Sequence, residues 1–501
     1  MKPARATGRP MNSLLLLGAA LLGSVMPSLV AQETSGSKSS DAKTADAKKD
    51  EAKKADPEPK WFAVVGGDVH TGTGGLLRGA TVLAKDGVIE SVGYSTDLPE
   101  GTEVLSARGL QVYPGLVAIS ASLAVSQGSR FLAEDDLHMR CCVDFGKNGH
   151  LHEGPLDAEL DLLLADQAGL VDAQSDLRDA YDPFSSSLLM TLAVGITSAE
   201  QSGGALKLKR GEIDGVVMRE RFLSSFTWTS ASSGKTQLRE KFAAAARYLR
   251  EKREWDVRKD KVKDLPEPSK KGIEQKILSV LDGSARAKFN ANDRDDLLGI
   301  ARLAQEFGFR PVIEGCVEGW IVAEELGRAG AYAIVYPRQR RDKDENLVRA
   351  GGSSIENAAI LHAHGVQVAI GPASNGIDLG GITGRDLLHL TVDADFAVRG
   401  GMTDAAALAG ITTVPARILG IDHRVGTLEK GKDCDVIVTD GDVLHYETLV
   451  QYTVVAGKIA YDKQKELLFA HIRPRTPGDG KTSNSSGDSA PASAESQPPQ
   501  R

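Results

Sequence analysis

Segments near the two ends of the folded part of the chain have the pattern of short β-strands. Apolar or alternating runs lie at residues 61–65, 80–84 and 88–92, and similar runs follow at residues 435–439 and 449–456. Asp86-Gly87 separates two of the first runs and predicts a tight hairpin. Because neither set is large enough to bury a good core alone, we expect the two to pair into one small β-sandwich.

The middle of the chain alternates strand patterns with helical patterns. Its apolar runs without a two-residue alternation are typical of parallel strands buried on both faces. They lie at residues 111–117, 192–198, 215–218, 287–291, 310–313, 331–336 and 366–370. Helical spacing occurs between several of them, for example at Phe242 and Ala245 and at Leu297 and Ile300. The repeated unit predicts an α/β fold, a (β/α)8 TIM-like barrel rather than an open sheet, with functional side chains at the carboxyl ends of the strands.

The amino-terminal residues have the pattern of a targeting segment. Lys2, Arg5 and Arg9 precede an apolar run at residues 14–25, and small residues follow before Gln32. This pattern predicts a signal peptide, with an uncleaved signal anchor as the alternative. We therefore expect an exported protein, either periplasmic or extracellular. No later run reaches the roughly 20 apolar residues that a membrane span requires, so we expect no stable span in the mature form.

These patterns divide the chain into six segments. Residues 32–60 and 474–501 contain too few apolar side chains to form a core, which predicts disorder. The predicted order is a signal peptide at 1–31, a disordered linker at 32–60, the first part of the β-sandwich at 61–110, the (β/α)8 barrel at 111–422, the second part of the sandwich at 423–473 and a disordered tail at 474–501.

Composition narrows the classes of partner. The chain has 501 residues, of which 41% are hydrophobic, so it can bury a large core. Its formal net charge of -8 argues against a nucleic-acid partner, because such proteins need a basic face for the phosphates. Cys316 and Cys434 lie in apolar, strand-like surroundings and are predicted to be buried thiols.

Several motifs occur in an order that is informative as a set. They are Gly-Val-Ile-Glu-Ser-Val-Gly at residues 87–93, Pro114-Gly115-Leu116, Ile-Thr-Thr-Val-Pro-Ala-Arg-Ile-Leu-Gly at 411–420 and Gly-Thr-Leu-Glu-Lys-Gly-Lys-Asp-Cys-Asp-Val-Ile-Val at 426–438. Together they resemble the framing signatures of the amidohydrolase superfamily, and within it the imidazolonepropionase-like amidohydrolases, some of which are exported. The resemblance covers nearly all of residues 61–462 and implies the TIM-like barrel.

The resemblance also implies one or two divalent metal ions at the strand ends, where they activate water for the hydrolysis of C–N bonds. The positions that match the family's metal ligands hold poor or absent donors instead: Ser120, Ser122, Asn290, Gly315 and Ala373. Serine hydroxyls and amide oxygens bind zinc poorly, and glycine and alanine have no side-chain donor. We therefore expect a degenerate metal site, no cofactor, and a non-catalytic protein that binds a ligand or acts as a scaffold.

A second hypothesis keeps the chain among the hydrolases of C–N bonds, with an atypical metal site or a metal-free acid/base mechanism. The donors of such a zinc site would be close in sequence: His138, Cys141, His150 and His152. Their spacing matches no established zinc motif, and a surface insertion after the first strand is the favoured interpretation.

Two glutamates near the predicted strand ends are candidates for a general acid and base. Glu314 and Glu318 would have divergent pKa values if they were buried together, because like charges repel. Ion pairs with Arg294 or Arg338 are the favoured interpretation of these two glutamates. Asn292 and Asn375 are predicted to line a pocket for a small polar ligand at the same place.

Overall fold

The computed structural model describes residues 59–94, 97–121, 177–178, 181–262, 265–341, 351–372, 377 and 386–466. The predicted signal peptide and tail, and nearly all of the predicted linker, lie outside these residues and stay predictions. In chain order the described strands are β1 Trp61–His70, β2 Leu76–Lys85, β3 Val88–Gly93, β4 Glu103–Ser106, β5 Gln111–Pro114, β6 Leu116–Ala118, β7 Ile196–Gln201, β8 Gly204–Lys207, β9 Val217–Arg219, β10 Leu223–Phe226, β11 Arg286–Ala291, β12 Val312–Gly315, β13 Tyr332–Val335, β14 Gln367–Ile370, β15 Val436–Thr439, β16 Val450–Val455 and β17 Lys458–Asp462.

The described α-helices are α1 Ser186–Ala193, α2 Ser232–Arg258, α3 Gln275–Leu281, α4 Arg294–Phe307, α5 Ala323–Arg328, α6 Asn357–Ala363, α7 Leu390–Arg399, α8 Asp404–Gly410 and α9 Thr413–Leu419. The helical spacing read from the sequence is confirmed, since Leu297 and Ile300 are buried on α4 and Phe242 and Ala245 on α2. Within the described ranges, no helix combines the length and the apolar composition that crossing a membrane requires.

Strands from both ends of the described chain form one mixed sheet. Its order is β17-β16-β15-β5-β1-β2-β3, and β4 also pairs with β1. The predicted pairing of the two ends is therefore present. It takes the form of a single hydrogen-bonded sheet rather than a two-sheet sandwich, because β5 is parallel to β1 and antiparallel to β15. We call this eight-stranded sheet the terminal sheet; its strands share an apolar core that includes Phe62, Ile89, Val112 and Val436.

Parallel strands form the second part of the fold. They make two ladders, one joining β6 to β7 and one running β10-β11-β12-β13-β14. A backbone hydrogen bond of 2.8 Å from Leu223 N to Gly203 O joins the start of β10, in one ladder, to the turn that follows β7, in the other. Side chains of both ladders and of α9 share one apolar core, which includes Val117, Val312 and Val414. This is an α/β arrangement of the TIM-barrel type, and the closed eight-stranded ring stays a prediction.

One strand prediction in this part is wrong, and two others are right only in part. Residues 215–218 were expected to form a parallel strand, but β9 pairs antiparallel with β8, and the parallel strand of this region is β10. The apolar run at 192–198 covers the last turn of α1 and only the start of β7. The run at 111–117 is divided at Gly115 into β5 of the terminal sheet and β6 of the parallel strands.

The two cysteines predicted as buried thiols are buried and free. Burial raises the pKa of both the Cys316 and the Cys434 thiol to about 12. Both are neutral thiols at neutral pH, so neither is an activated nucleophile.

Candidate functional site at the strand ends

Side chains from five of the parallel strands converge where those strands end. Ser120 follows β6, Glu200 lies on β7, Lys288 on β11 and Glu314 on β12, and Tyr336 follows β13. Parallel strands present their carboxyl ends at one edge, which is why residues so distant in sequence meet there. We call these five residues the polar cluster.

The ammonium of Lys288 lies at the centre of the polar cluster. Its Nζ is 3.1 Å from Glu314 Oε2, 3.3 Å from Glu200 Oε1 and 3.3 Å from Ser120 Oγ. The backbone N–H of Ser120 donates to Glu200 Oε2 at 2.8 Å, and the Tyr336 hydroxyl donates to Glu314 Oε1 at 2.6 Å. The Lys288 side chain is only 13% exposed. One cation and two carboxylates are thus held together with little access to solvent.

The pKa values of the polar cluster follow from this arrangement. Burial alone would lower the pKa of Lys288, but the charges of Glu200 and Glu314 outweigh it and raise the pKa above its ordinary value. Burial alone would raise the pKa of Glu314, but the Lys288 charge and hydrogen bonds from Tyr336, Ser120 and Lys288 lower it. Burial, then the charge of Glu314, raises the pKa of Tyr336.

These shifts fix the charges at neutral pH. Lys288 is a protonated ammonium, Glu314 is an ionised carboxylate and Tyr336 is a neutral phenol. A general acid or base works best when its pKa is close to the working pH. The pKa of each of these three groups is shifted away from neutrality, which favours stable charge pairing within the cluster at neutral pH.

The backbone adopts unusual conformations at two of the positions that the family resemblance marks. Ser120 has φ 54°, Gly315 has φ 92° and the adjacent Cys316 has φ 47°. A left-handed conformation in a residue other than glycine costs roughly 1–2 kcal/mol and needs support from its surroundings. At Ser120 that support includes the hydrogen bond from its N–H to Glu200.

Asn292 occupies the space in which a side chain at position 315 would begin. A Cβ atom built on Gly315 would lie 2.3 Å from Asn292 Oδ1. That oxygen is buried and has no hydrogen-bond partner in the described part of the chain. A side chain at position 315 would therefore require the Asn292 amide to move.

Glu318 is bonded separately from the polar cluster. Its Oε1 accepts from Gly352 N at 2.9 Å, and its Oε2 accepts from Arg294 N at 3.2 Å and Arg294 Nε at 3.3 Å. Burial would raise the pKa of Glu318, but the hydrogen bonds from Gly352 and Arg294 and the Arg294 charge lower it. Arg338, the other arginine considered for these glutamates, pairs with Asp393. Glu314 and Glu318 thus have different partners.

The remaining residues predicted from the sequence are either exposed or outside the described ranges. Asn290 is exposed, and it pairs in register with Glu314 across β11 and β12. The residues that lie outside the described ranges are Ser122, His138, Cys141, His150, His152, Ala373 and Asn375.

Sequence reasoning missed Lys288, Glu200 and Tyr336. A usable signal existed for Lys288, because it lies two residues before Asn290 and side chains two apart share a strand face. Glu200 and Tyr336 are polar residues at the ends of apolar runs, which is the position of functional side chains in a barrel.

The donors found at the strand ends do not fit the divalent metal that the family resemblance implies. The carboxylates of Glu200 and Glu314 already share the Lys288 ammonium, Ser120 offers a weak hydroxyl donor, and Gly315 offers none. Among the residues that the structure describes, no three His, Cys, Asp or Glu side chains are grouped so as to hold a metal ion.

A small cavity adjoins the cluster at the ends of β12 and β13. It is lined by Gly315, Tyr336 and Asn357 among others and has a volume of about 20 Å³. Roughly 10–15 Å³ is needed for one water molecule. This cavity therefore accommodates a water molecule rather than a substrate.

Comparison with known proteins identifies related sequences over part of the chain. Residues 329–465 match the amidohydrolase family. The amidohydrolase tasK of Hapsidospora irregularis is 32% identical over 85 residues, which are 17% of this chain and 9% of that protein. An N-acetylglucosamine-6-phosphate deacetylase of Danio rerio is 44% identical over 68 residues, which are 14% of this chain and 16% of that protein. The chain thus matches less than a fifth of either relative's length.

A solved structure extends the similarity to most of the chain. The amidohydrolase from Thermotoga maritima MSB8 superposes with a TM-score of 0.57 at 21% sequence identity, and the match covers 80% of this chain and 100% of that one. At this level of identity the similarity concerns the fold, which does not by itself determine function.

Proposed function

We propose that this chain, which belongs to the amidohydrolase superfamily, is an exported member without hydrolytic activity that acts as a binding or scaffold protein. The observation that carries the proposal is the position of the Lys288 ammonium, bonded to Glu200, Glu314 and Ser120 at the strand ends. Metal-assisted hydrolysis needs a bound water whose pKa is lowered, together with a group free to move protons.

The filled position beside Gly315 supports the same proposal. A metal ligand at residue 315 would require Asn292 to move, because its Cβ atom would lie 2.3 Å from Asn292 Oδ1. The charge pairing of Glu318 with Arg294 and two backbone N–H groups also argues against a free general acid or base at that residue.

Hydrolysis of C–N bonds remains the competing hypothesis. The left-handed backbone at Ser120 and Cys316 favours it, because strained residues cluster at active sites. Under this hypothesis the polar cluster would have to rearrange when substrate binds, so that Glu314 loses its bond to Lys288.

The metal content and the turnover of the purified full-length chain separate the two hypotheses. We expect substoichiometric metal by mass spectrometry, and no hydrolysis of N-acyl amino acids, dipeptides or cyclic amides above the uncatalysed rate, with or without added Zn²⁺ or Mn²⁺. Stoichiometric metal together with amide turnover would overturn the proposal.

Export is supported by the signal-peptide pattern of residues 1–31. Amino-terminal sequencing of the protein recovered from its native compartment tests it. We expect a mature chain that starts at Gln32, whereas an intact amino terminus in a cytoplasmic fraction would contradict export.

A further inference from the structure

We infer that Lys288 is the resident cation of the strand ends, and that its ammonium prevents the carboxylates of Glu200 and Glu314 from forming a divalent-cation site. The inference rests on the proposed function and deepens it, since it identifies the group that fills the place where a metal would act. It also predicts a new metal site, which would form when the ammonium is removed.

The geometry around Lys288 Nζ resembles the coordination of a cation. A lysine ammonium has three N–H donors and no acceptor. Three residues on three different strands surround this one, at 3.1 Å for Glu314, 3.3 Å for Glu200 and 3.3 Å for Ser120. The ammonium therefore links β6, β7 and β12 through a single centre of positive charge, as a bound metal ion does.

The same geometry explains why a divalent cation is excluded. A metal ion bound by Glu200 and Glu314 would have to lie in the space that Nζ occupies, next to a charge of the same sign. A lysine ammonium, with an ordinary pKa of about 10.4, is charged at neutral pH, and this one lies between the two carboxylates.

Removal of the ammonium would make the strand ends favourable for a divalent cation. The two carboxylates would face each other in a largely buried setting, with the Ser120 hydroxyl beside them and no cation to neutralise them. Carboxylate and hydroxyl oxygens suit hard cations such as Mg²⁺, Ca²⁺ and Mn²⁺. A neutral residue at position 288 should therefore convert the cluster into a site for one such ion.

The test compares substitutions at this position in the full-length, metal-free chain with Mn²⁺ as the probe. Lys288→Met and Lys288→Gln remove the charge, and Lys288→Arg keeps it. We expect both neutral variants to melt at a lower temperature than wild type in EDTA and to recover in Mn²⁺. They should also bind one Mn²⁺ per chain, measured by loss of the free-Mn²⁺ electron paramagnetic resonance signal. Wild type and K288R should show neither response.

Two controls separate a specific site from a general loss of stability. The double variant E200Q/K288M has one carboxylate fewer and should lose the response to Mn²⁺. Lys207 provides a matched lysine, because it is also buried between two carboxylates, those of Asp433 and Asp435. K207M should be destabilised without a gain of Mn²⁺ binding, since Arg424 still reaches Asp433.

The inference is overturned if Mn²⁺ neither binds to K288M and K288Q nor raises their melting temperatures, whether these variants are folded or remain unfolded in its presence. It is also overturned if K207M or E200Q/K288M responds to Mn²⁺ as K288M does. These outcomes are distinct from failure of the proposed function, which is decided by metal content and amide turnover of the wild-type chain. The difference between K288M and K288R concerns Lys288 alone.

Discussion

Ser120 contributes both its backbone and its side chain to the strand ends. Its N–H donates to Glu200, and its hydroxyl accepts from Lys288. A histidine at this position would have to keep the left-handed φ of 54° while placing an imidazole where the Lys288 ammonium now bonds. The serine therefore takes part in the polar cluster through both its backbone N–H and its hydroxyl.

Glu318 provides a residue-scale prediction about pH. The pKa of this carboxyl is lowered in the folded chain, so its stabilising effect is complete above the ordinary glutamate pKa of about 4.3 and is lost as pH falls through the lowered value. We expect Glu318→Gln to reduce the free energy of unfolding most at neutral pH, and the difference from wild type to shrink under acid conditions. Urea unfolding of both proteins at a series of pH values measures this difference in unfolding free energy.

Glu324 offers the matched control for this prediction. Its carboxylate pairs with Arg328 at the surface, and its side chain is 68% exposed. Exposed pairs contribute little to stability, so Glu324→Gln should leave the unfolding free energy nearly unchanged at every pH. A wild-type advantage over E318Q that grows on acidification would contradict the assigned charge state.

At the scale of elements, much of the fold follows from hydrophobic periodicity. Six of the seven runs read as buried strands contain or overlap a strand of the parallel set, and the turn at Asp86-Gly87 has the two left-handed residues that a hairpin turn requires. The sequence pattern did not predict strand β10, because Ser224 and Ser225 interrupt its apolar run. Residues 215–218 were wrongly predicted to form a parallel strand, because a short apolar run does not reveal whether its partner strand is parallel or antiparallel.

The contacts of the candidate site could not be predicted from the sequence as well as the strands could. Ser120 and Gly315 were found through a family resemblance that marks positions along strands. The contacts among Ser120, Glu200 and Lys288 depend on how the strands pair, because these residues are 80 to 168 positions apart. Side-chain alternation places Lys288 on the face of Asn290, but only the structure shows that its charge is shared by two carboxylates.

Gly115 gives an element-scale prediction at the point where the chain leaves the terminal sheet and enters β6. A Cβ atom there would lie 2.2 Å from Thr197 Oγ1 and 2.6 Å from Thr197 Cγ2, and Thr197 is fully buried. We expect Gly115→Ala to lower the free energy of unfolding by roughly 1–3 kcal/mol, as overpacking does. Denaturant unfolding provides the measurement.

The chain contains both a control and a rescue for this substitution. Gly93 ends β3 with nothing within 4 Å of its Cβ position, so Gly93→Ala should be nearly neutral. Thr197→Ala removes the atoms that clash, so the double variant G115A/T197A should be more stable than the effects of the two single substitutions predict. Simple additivity of the two effects would show that the clash is not the cause.

At the scale of the whole molecule, a buried charge network connects the terminal sheet to β8, the strand that pairs antiparallel with β7. Lys207 at the end of β8 is 1% exposed and bonds to Asp433 and Asp435, which precede β15. Arg424 also bonds to Asp433 at 2.7 Å, and Asp435 Oδ1 accepts from the backbone of Ala456. The long Gly-Lys-Asp-Cys-Asp motif recognised in the sequence therefore holds together segments more than 200 residues apart.

Lys207→Met tests this connection. Removing one partner of a buried ion pair leaves an uncompensated charge and typically costs about 3–5 kcal/mol. We expect a loss of that order in the unfolding free energy. Lys458→Met is the control, because Lys458 forms an exposed pair with Glu212, and its loss should cost less than about 1 kcal/mol. Equal losses in the two variants would show that the buried network has no special role.

The contact between Asn292 and Gly315 couples the two positions energetically. A side chain at position 315 would have to adopt a φ of 92° and displace the Asn292 amide, and both cost stability. Replacing Asn292 by a smaller residue removes the atom that is in the way. The effect of any substitution at position 315 therefore depends on the residue at position 292, so the two positions have to be redesigned together.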